Sequence, residues 1–262
     1  MVVRFRSGQT SPPEAGCGLR MSLLITCENG GNKLPPFVID AFRSAAAIRD
    51  LASPLGFDPG AKAAALDLAE RTKAPMVSCP YSRLAIDVNR SPHHRHLFSP
   101  HTKKLSPEIR EALVRHVYEP YRRQVHAAID KLLQSHAYVI HIAVRSFPLQ
   151  GKTGPRRTDV GLIYDPCRED EREFCLDWYE ELYYEAPWIR VRRNYPVRGR
   201  HDSLVKSLRD TYSPHEYLGI EIHLNQAWAE RRTRIRKQSF SRIGDTLATI
   251  LELPPLATIG AA

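Results

Sequence analysis

Apolar runs of strand length alternate with amphipathic helical runs along nearly the whole chain. That alternation predicts an α/β fold, a single-domain three-layer α/β/α sandwich around a mostly parallel mixed sheet. Two further observations support the prediction. Tyr138–Val144 and Leu218–Leu224 are near-continuous apolar runs, as strands buried on both faces must be. Polar residues also gather at the ends of apolar runs, in Cys27-Glu28-Asn29-Gly30-Gly31-Asn32, Asp87-Val88-Asn89-Arg90 and Gly219 to Gln226. Ligands of open α/β sheets bind at such strand ends.

In chain order, strands are expected at Ser22–Cys27, Pro75–Cys79, Leu84–Asn89, Ala137–Val144, Asp159–Tyr164, Ile189–Arg193 and Tyr217–Asn225. Helical patterns lie between them. Pro36–Leu51 is the first, and Pro59–Thr72 follows Asp58, an N-cap type placed before a proline at the first helical position. Ser106–Ser135 is the longest, with Ile109, Leu113, Val117, Tyr121, Val125, Ile129 and Leu132 at helical spacing and a kink expected at Pro120. Glu169–Tyr184, Asp202–Tyr212 and Asn225–Leu253 complete the set.

The first twenty residues, rich in Ser, Pro, Gly and Arg, lack the apolar stretch of a secretory signal. They are read as a disordered extension of a domain spanning 21–255, or as residues ahead of a true start at Met21. No apolar run approaches the ~20 residues that cross a bilayer. The five cysteines are odd in number and form no Cys-x-x-Cys pair, so neither a disulfide framework nor a thiolate zinc site is expected, in keeping with a reducing cytoplasm. A net charge of +9 favours anionic partners. The basic residues are spread along the chain, with clusters only at Arg190 to Arg200 and Arg231 to Lys237, and lack the aromatic pattern of a single-strand binder. The charge therefore reads as a basic surface or, more sharply, a small anionic substrate, with nucleic acid third.

Glu221, His223 and Asn225 alternate with Ile220, Ile222 and Leu224 and so share one strand face. A carboxylate buried there must be paired, metal-bound or kept as a tuned acid or base. An ion pair with an arginine and a functional role both satisfy that requirement. Arg90 offers a planar fork of donors suited to a carboxylate, with Asn89 as a further amide, although spacing alone favours an Asn-Arg-Ser-Pro turn with Arg90 in solvent. The histidines of Pro92-His93-His94-Arg95-His96 are adjacent and point in different directions, so they read as a solvated loop.

Taken in order, Cys27 to Asn32, Phe57-Asp58-Pro59-Gly60-Ala61, Ser82 to Ser91, His141 to Phe147, Asp159 to Pro166, Asn194 to Gly199 and Gly219 to Gln226 resemble the N-formylglutamate amidohydrolase family. The resemblance implies a zinc-carboxypeptidase-like α/β/α fold and hydrolysis of the amide bond of an anionic N-acyl amino acid. It implies a zinc ion held by histidines and a glutamate, with Glu221 as general base and Asn89 and Arg90 gripping the substrate carboxylate. Asn29, Asn194 and Arg198 join the substrate-binding candidates, and Arg145 joins Glu221 as a catalytic one.

The chain departs from the family pattern where the metal is concerned. Asn29 stands where the family reads histidine, Arg145 stands in the Val-His-Ser-Phe segment, and the late Glu-x-Glu is Glu221-Ile222-His223. An arginine holds its proton above pH ~12 and cannot ligate zinc. Metal candidates therefore reduce to Glu28, His141 and His223, with no metal at all as the other outcome. Three functions follow as expectations: an amidohydrolase with a rearranged metal site, a metal-free protein binding an anionic metabolite through Arg145 and Arg90, and a basic nucleic-acid binder. Arg145 is expected to draw in Glu28, Glu221 or a substrate anion.

Overall fold

The computed structural model describes residues 21–152, 154–228 and 233–251. The expected extension 1–20 and residues 252–255 of the expected domain lie outside the described residues. Strands run β1 (Met21–Cys27), β2 (Met76–Ser78), β3 (Tyr138–Phe147), β4 (Gln150–Gly151), β5 (Gly154–Pro155), β6 (Val160–Ile163), β7 (Val191–Arg193) and β8 (Tyr217–Asn225). A six-stranded sheet takes the order β2-β1-β3-β8-β6-β7, while β4 and β5 form a small hairpin. The first four strands of that order are mutually parallel, and β6 meets β8 antiparallel. The sheet is thus mixed and mostly parallel, with β3 and β8 adjacent at its centre.

Helices cover both faces: α1 (Ala45–Leu51), α2 (Ala61–Thr72), α3 (Pro107–Leu113), α4 (Glu119–Leu133), α5 (Glu169–Glu185), α6 (Leu204–Thr211) and α7 (Thr233–Ile250). The strands divide their side chains by the period of two. Leu23, Ile25 and Cys27, Ile140, Ile142 and Val144, and Ile220, Ile222 and Leu224 face one side, where Leu68 of α2, Trp178 of α5 and Leu247 of α7 close the core. On the other side, Leu24, Val139 and Tyr217 meet Val125 and Ile129 of α4 and Leu208 of α6. This second face also carries the polar residues of the central strands.

Several expected elements differ in the structure. Leu84–Asn89 is not a strand; it is a buried coil in which Arg90 N–H donates to the Asp87 carbonyl at 3.0 Å and Asn89 N–H to the Asp87 carboxylate at 3.1 Å. Its apolar residues Leu84, Ala85, Ile86 and Val88 pack into the second core, so a short apolar run marked burial without pairing. Pro36–Leu51 divides into a 3-10 turn, Pro36–Phe42, and α1, whose N-cap Ser44 accepts from Ala47 N–H at 3.1 Å. Asp58 does not cap α2; Gly60 does, at φ 81°, a left-handed conformation suited to glycine.

The long helix Ser106–Ser135 is continuous but widens into a π turn at Val114–Tyr118, immediately before Pro120 at the start of α4. The proline lacks an N–H and crowds the carbonyl four residues back, and a π turn relieves both demands. No helix among the described residues is long and apolar enough to cross a membrane.

The central strand packing sets a stability expectation. Ile220→Ala on β8 should lower unfolding free energy by about 2–5 kcal/mol, the range for buried aliphatic truncation. Leu66→Ala, on the exposed side of α2, should change it by less than about 0.5 kcal/mol. Urea denaturation of the two variants checks both values.

Candidate active site

Strand register builds the polar cluster row by row on the second face. Leu24, His141 and Gly219 stand level, then Thr26, Ala143 and Glu221, then Arg145 and His223. Glu28 and Asn29 follow the end of β1. The polar side chains of this set, Thr26, Glu28, Asn29, His141, Arg145, Glu221 and His223, are all buried, so the charges of Glu28, Arg145 and Glu221 need partners inside the protein.

Arg145 finds its partner in Asp58, on the loop before α2. Its Nε donates to Asp58 Oδ2 at 2.8 Å, and Ser146 N–H donates to the same oxygen at 3.3 Å. Arg83 donates to the other carboxylate oxygen. Burial would raise the Asp58 carboxyl, but Arg83 and Arg145 hold it below its ordinary range. Burial would likewise depress the Arg145 guanidinium, but Asp58, then Glu28, Asp87 and Glu221, hold it charged and above its ordinary value. The expectation that Arg145 would draw in Glu28 or Glu221 is corrected accordingly: both carboxylates act on it through space, and Asp58 makes the contact. With its amide oxygen turned toward the guanidinium, Asn29 accepts from Arg145 Nη2 at 2.9 Å and donates to the Glu28 carbonyl at 3.2 Å.

Glu28 belongs to a buried hydrogen-bond chain. Thr26 Oγ1 donates to Glu28 Oε1 at 2.6 Å, so the same hydroxyl must accept from His141 Nε2–H at 2.8 Å. Nδ1 of His141 is then left to accept from the Tyr217 hydroxyl at 2.6 Å, which fixes the tautomer. Burial pushes the His141 imidazole down to about 3, so the ring is neutral. Tyr121 adds a donor to Glu28 Oε1 at 3.3 Å, while Glu28 Oε2 is left without one. Burial raises the Glu28 carboxyl above its ordinary range against the pull of Arg145.

Glu221 meets two imidazoles. His223 Nε2–H donates to Glu221 Oε2 at 2.9 Å. His201, on the loop after β7, approaches the same oxygen at 3.5 Å while its Nδ1 donates to the Arg198 carbonyl at 2.9 Å. Burial would raise the Glu221 carboxyl; His201, the His223 hydrogen bond and Arg145 outweigh it and hold the group ionised, below its ordinary range. Glu221 Oε1 has no hydrogen bond. Nε2 of His223 is engaged with the carboxylate, and among the described residues its Nδ1 makes no hydrogen bond.

The other candidates are drawn into the framework. Asn89 is buried, and its Oδ1 accepts from Leu204 N–H at 3.0 Å at the first turn of α6. Arg90 donates through Nη1 to the Asp202 carbonyl at 3.0 Å and stands 3.6 Å from Asp87, with its side chain 32% exposed. Asn194, at φ 50°, accepts from Tyr164 N–H at 3.1 Å and shapes a turn. Arg198 is exposed, and the cluster meets its carbonyl. Asp58, His201, Thr26 and Tyr217 are the residues that sequence reasoning missed. The period of two along β1 and β8 contained a signal for Thr26 and Tyr217; Asp58 was marked locally only as a helix cap and as part of a family segment, and nothing local marked His201.

The zinc ion implied by the family resemblance does not suit this donor set. Both nitrogens of His141 are hydrogen-bonded, the Asn29 amide is tied to Arg145, and a charged guanidinium stands in register with His223. Among the described residues, no three His, Cys, Asp or Glu side chains group to hold a metal ion. Glu28, His141 and His223 are therefore not brought together as a ligand set.

The profile of the family described as N-formylglutamate amidohydrolase matches residues 21–228. The chain belongs to that family. Among solved structures, a gene product of Agrobacterium tumefaciens is similar, with 22% identity, a TM-score of 0.71 and coverage of 88% of this chain and 92% of the other. An N-formylglutamate amidohydrolase from Ralstonia eutropha is similar at 16% identity and a TM-score of 0.69, covering 90% and 95%. A comparison with curated proteins gives no match. At these identities the two structures speak for the fold, and this N-formylglutamate amidohydrolase family member has that fold.

Two expectations follow from the buried charges. Asp58→Ala leaves Arg145 without its contact partner and should cost about 3–5 kcal/mol, whereas replacing both members of the pair by apolar residues of similar volume should cost much less. Chemical denaturation of the single and double variants distinguishes these outcomes. For His141 the folded value, about 3, lies below the ordinary 6.5, so the unfolded chain binds the extra proton. The stability this contributes is complete above 6.5 and is lost as pH falls from 6.5 toward about 3. His141→Gln should flatten the unfolding free energy across the upper part of that window.

Proposed function

We propose that this protein hydrolyses the amide bond of an anionic N-acyl amino acid, with a buried arginine where the family resemblance places a zinc-ligating histidine. One observation carries the reading: Glu221 Oε2 accepts a hydrogen bond from His223 Nε2, which leaves His223 Nδ1 without a hydrogen bond among the described residues, on the same sheet face as Arg145. A carboxylate that orients an imidazole in this way prepares it to accept a proton from water. Arg145 supplies the opposite half of the chemistry. Its Nε and Nη2 are held by Asp58 and Asn29, and among the described residues Nη1 has no partner. That remaining donor suits the oxygen of a polarised amide carbonyl, where negative charge develops as water adds.

The residues thus divide the work. His223 Nδ1 takes the proton of the attacking water, Glu221 orients the ring and stabilises its charged form, and Arg145 Nη1 receives the oxyanion. The proton on His223 then passes to the departing amine. Glu221 acts here through His223, a change from the direct general base implied by the family resemblance. Arg90, partly exposed and bound through Nη1, has a further edge to offer a substrate carboxylate.

A second reading has its own support. Arg145 and Arg90 both keep guanidinium donors without a hydrogen bond among the described residues, Nη1 on the first and Nε on the second, which suit an anionic metabolite that is held without being turned over. Purified protein incubated with N-formyl, N-acetyl and N-succinyl derivatives of glutamate and aspartate separates the two. Amine release that survives a chelator and falls by about 10²–10⁴-fold in His223→Gln supports hydrolysis by these residues. Calorimetric binding without amine release supports the second reading. Protein as purified is expected to contain less than stoichiometric zinc by mass spectrometry and to hydrolyse N-formylglutamate slowly. Stoichiometric zinc with chelator-sensitive hydrolysis would overturn the proposal.

A further inference from the structure

Beside the hairpin of β4 and β5 lies a groove of about 540 Å³ lined by Lys152, Arg156, Arg157, Arg192 and Tyr195 and by no acidic residue. The volume falls within the ~300–1,000 Å³ of small-ligand sites. Two of its cations, Arg156 and Arg192, are positioned without a carboxylate partner among the described residues. Arg156 donates through Nη1 to the carbonyls of Pro148 and Gln150 at 2.7 and 3.1 Å, and its guanidinium lies 5.7 Å from the Phe147 ring centroid. Arg192 lies 5.6 Å from the centroid of Tyr195, and the two aromatic rings meet edge-on at 5.8 Å. The two rings therefore stand between the two guanidiniums, each cation against one ring. An aromatic face positions a guanidinium but leaves its full charge and most of its donors free for an anion. Among the described residues, Lys152, Arg157 and Arg192 have no carboxylate partner.

The groove belongs to the same face as the buried cluster. Arg192 pairs with Gly161, Gly161 with His223, and His223 with Arg145, one continuous row across the sheet. Two strand spacings, roughly 10 Å, separate the backbones of Arg192 and His223. Gly161 keeps the row open to the Tyr195 segment, since a Cβ there would stand 1.7 Å from the Tyr195 carbonyl oxygen. That segment walls the groove from the cluster.

The geometry points to a second, solvent-open anion site in this groove, which takes a multiply charged oxyanion of a small molecule, a phosphate or a polycarboxylate group. Unpaired guanidiniums converging on one concavity repel each other, and a ligand bearing several negative charges relieves that repulsion while accepting charge-assisted hydrogen bonds. The site stands independently of the chemistry assigned to His223.

Isothermal calorimetry with inorganic pyrophosphate and with citrate, on the full chain at low salt, tests the assignment. At least one probe should bind with Kd below about 1 mM. Arg157→Gln with Arg192→Gln should weaken it about 10-fold or more while moving the melting temperature little, because among the described residues neither side chain makes a hydrogen bond or ion pair and Arg192 contacts only the ring of Tyr195. Glu221→Gln should keep probe binding and lose amide hydrolysis, so failure of one assignment is distinguishable from failure of the other. Absence of binding at about 10 mM probe, or equal binding by the double variant, overturns the site. Oligonucleotide binding that tightens with strand length and is little displaced by pyrophosphate would also overturn it, in favour of a nucleic-acid surface.

Discussion

The buried contact between Asp58 and Arg145 is the constraint on which the remainder of the polar face depends. It joins the loop before α2 to the end of β3, and through Arg83 it also ties in the coil that follows β2. A guanidinium at this depth is tolerable only with a hydrogen-bonded anion in contact, and a carboxylate only with cations. Each therefore holds the other charged. With its Nε and Nη2 engaged, Arg145 presents a fixed orientation to whatever approaches from the mouth of the sheet.

From that pair the two carboxylates of the strand ends acquire different characters. Glu28 receives its hydrogen bonds from neutral groups, Thr26 and Tyr121, and burial raises its carboxyl. Glu221 faces imidazoles and a guanidinium, which keep it ionised. Two glutamates on one sheet face are thus driven apart by their surroundings, Glu28 above and Glu221 below the ordinary carboxylate range. The chain Tyr217–His141–Thr26 supports Glu28 from below and makes His141 a structural element in spite of its central position.

The loop from Arg198 to Ser203 links the parts. His201 reaches Glu221, Asp202 accepts from the backbone of Ser91 and holds Arg90 through its carbonyl, and Ser203 caps α6. The segment expected to grip a substrate carboxylate and the segment expected to activate water are therefore braced by one stretch of chain. The basic groove beyond Tyr195 lies outside this bracing and is open to solvent on the same face.

The sequence by itself determined the layers. Apolar runs with a period of two fixed β1, β3 and β8, and the near-continuous hydrophobicity of the last two placed them at the sheet centre, because only strands covered on both faces bury every residue. The same period put Glu221 and His223 side by side, and the ordered family motifs carried the family assignment. Other features were decided by tertiary structure. Leu84–Asn89 has the apolar residues of a strand but packs as coil, since burial alone does not provide a partner edge. Asp58 has the local signature of a helix cap, yet its carboxylate turns to Arg145, 87 residues away. A hydrogen bond to one backbone N–H is worth less than the neutralisation of a buried guanidinium, and no local pattern reveals which competitor the fold will bring within reach.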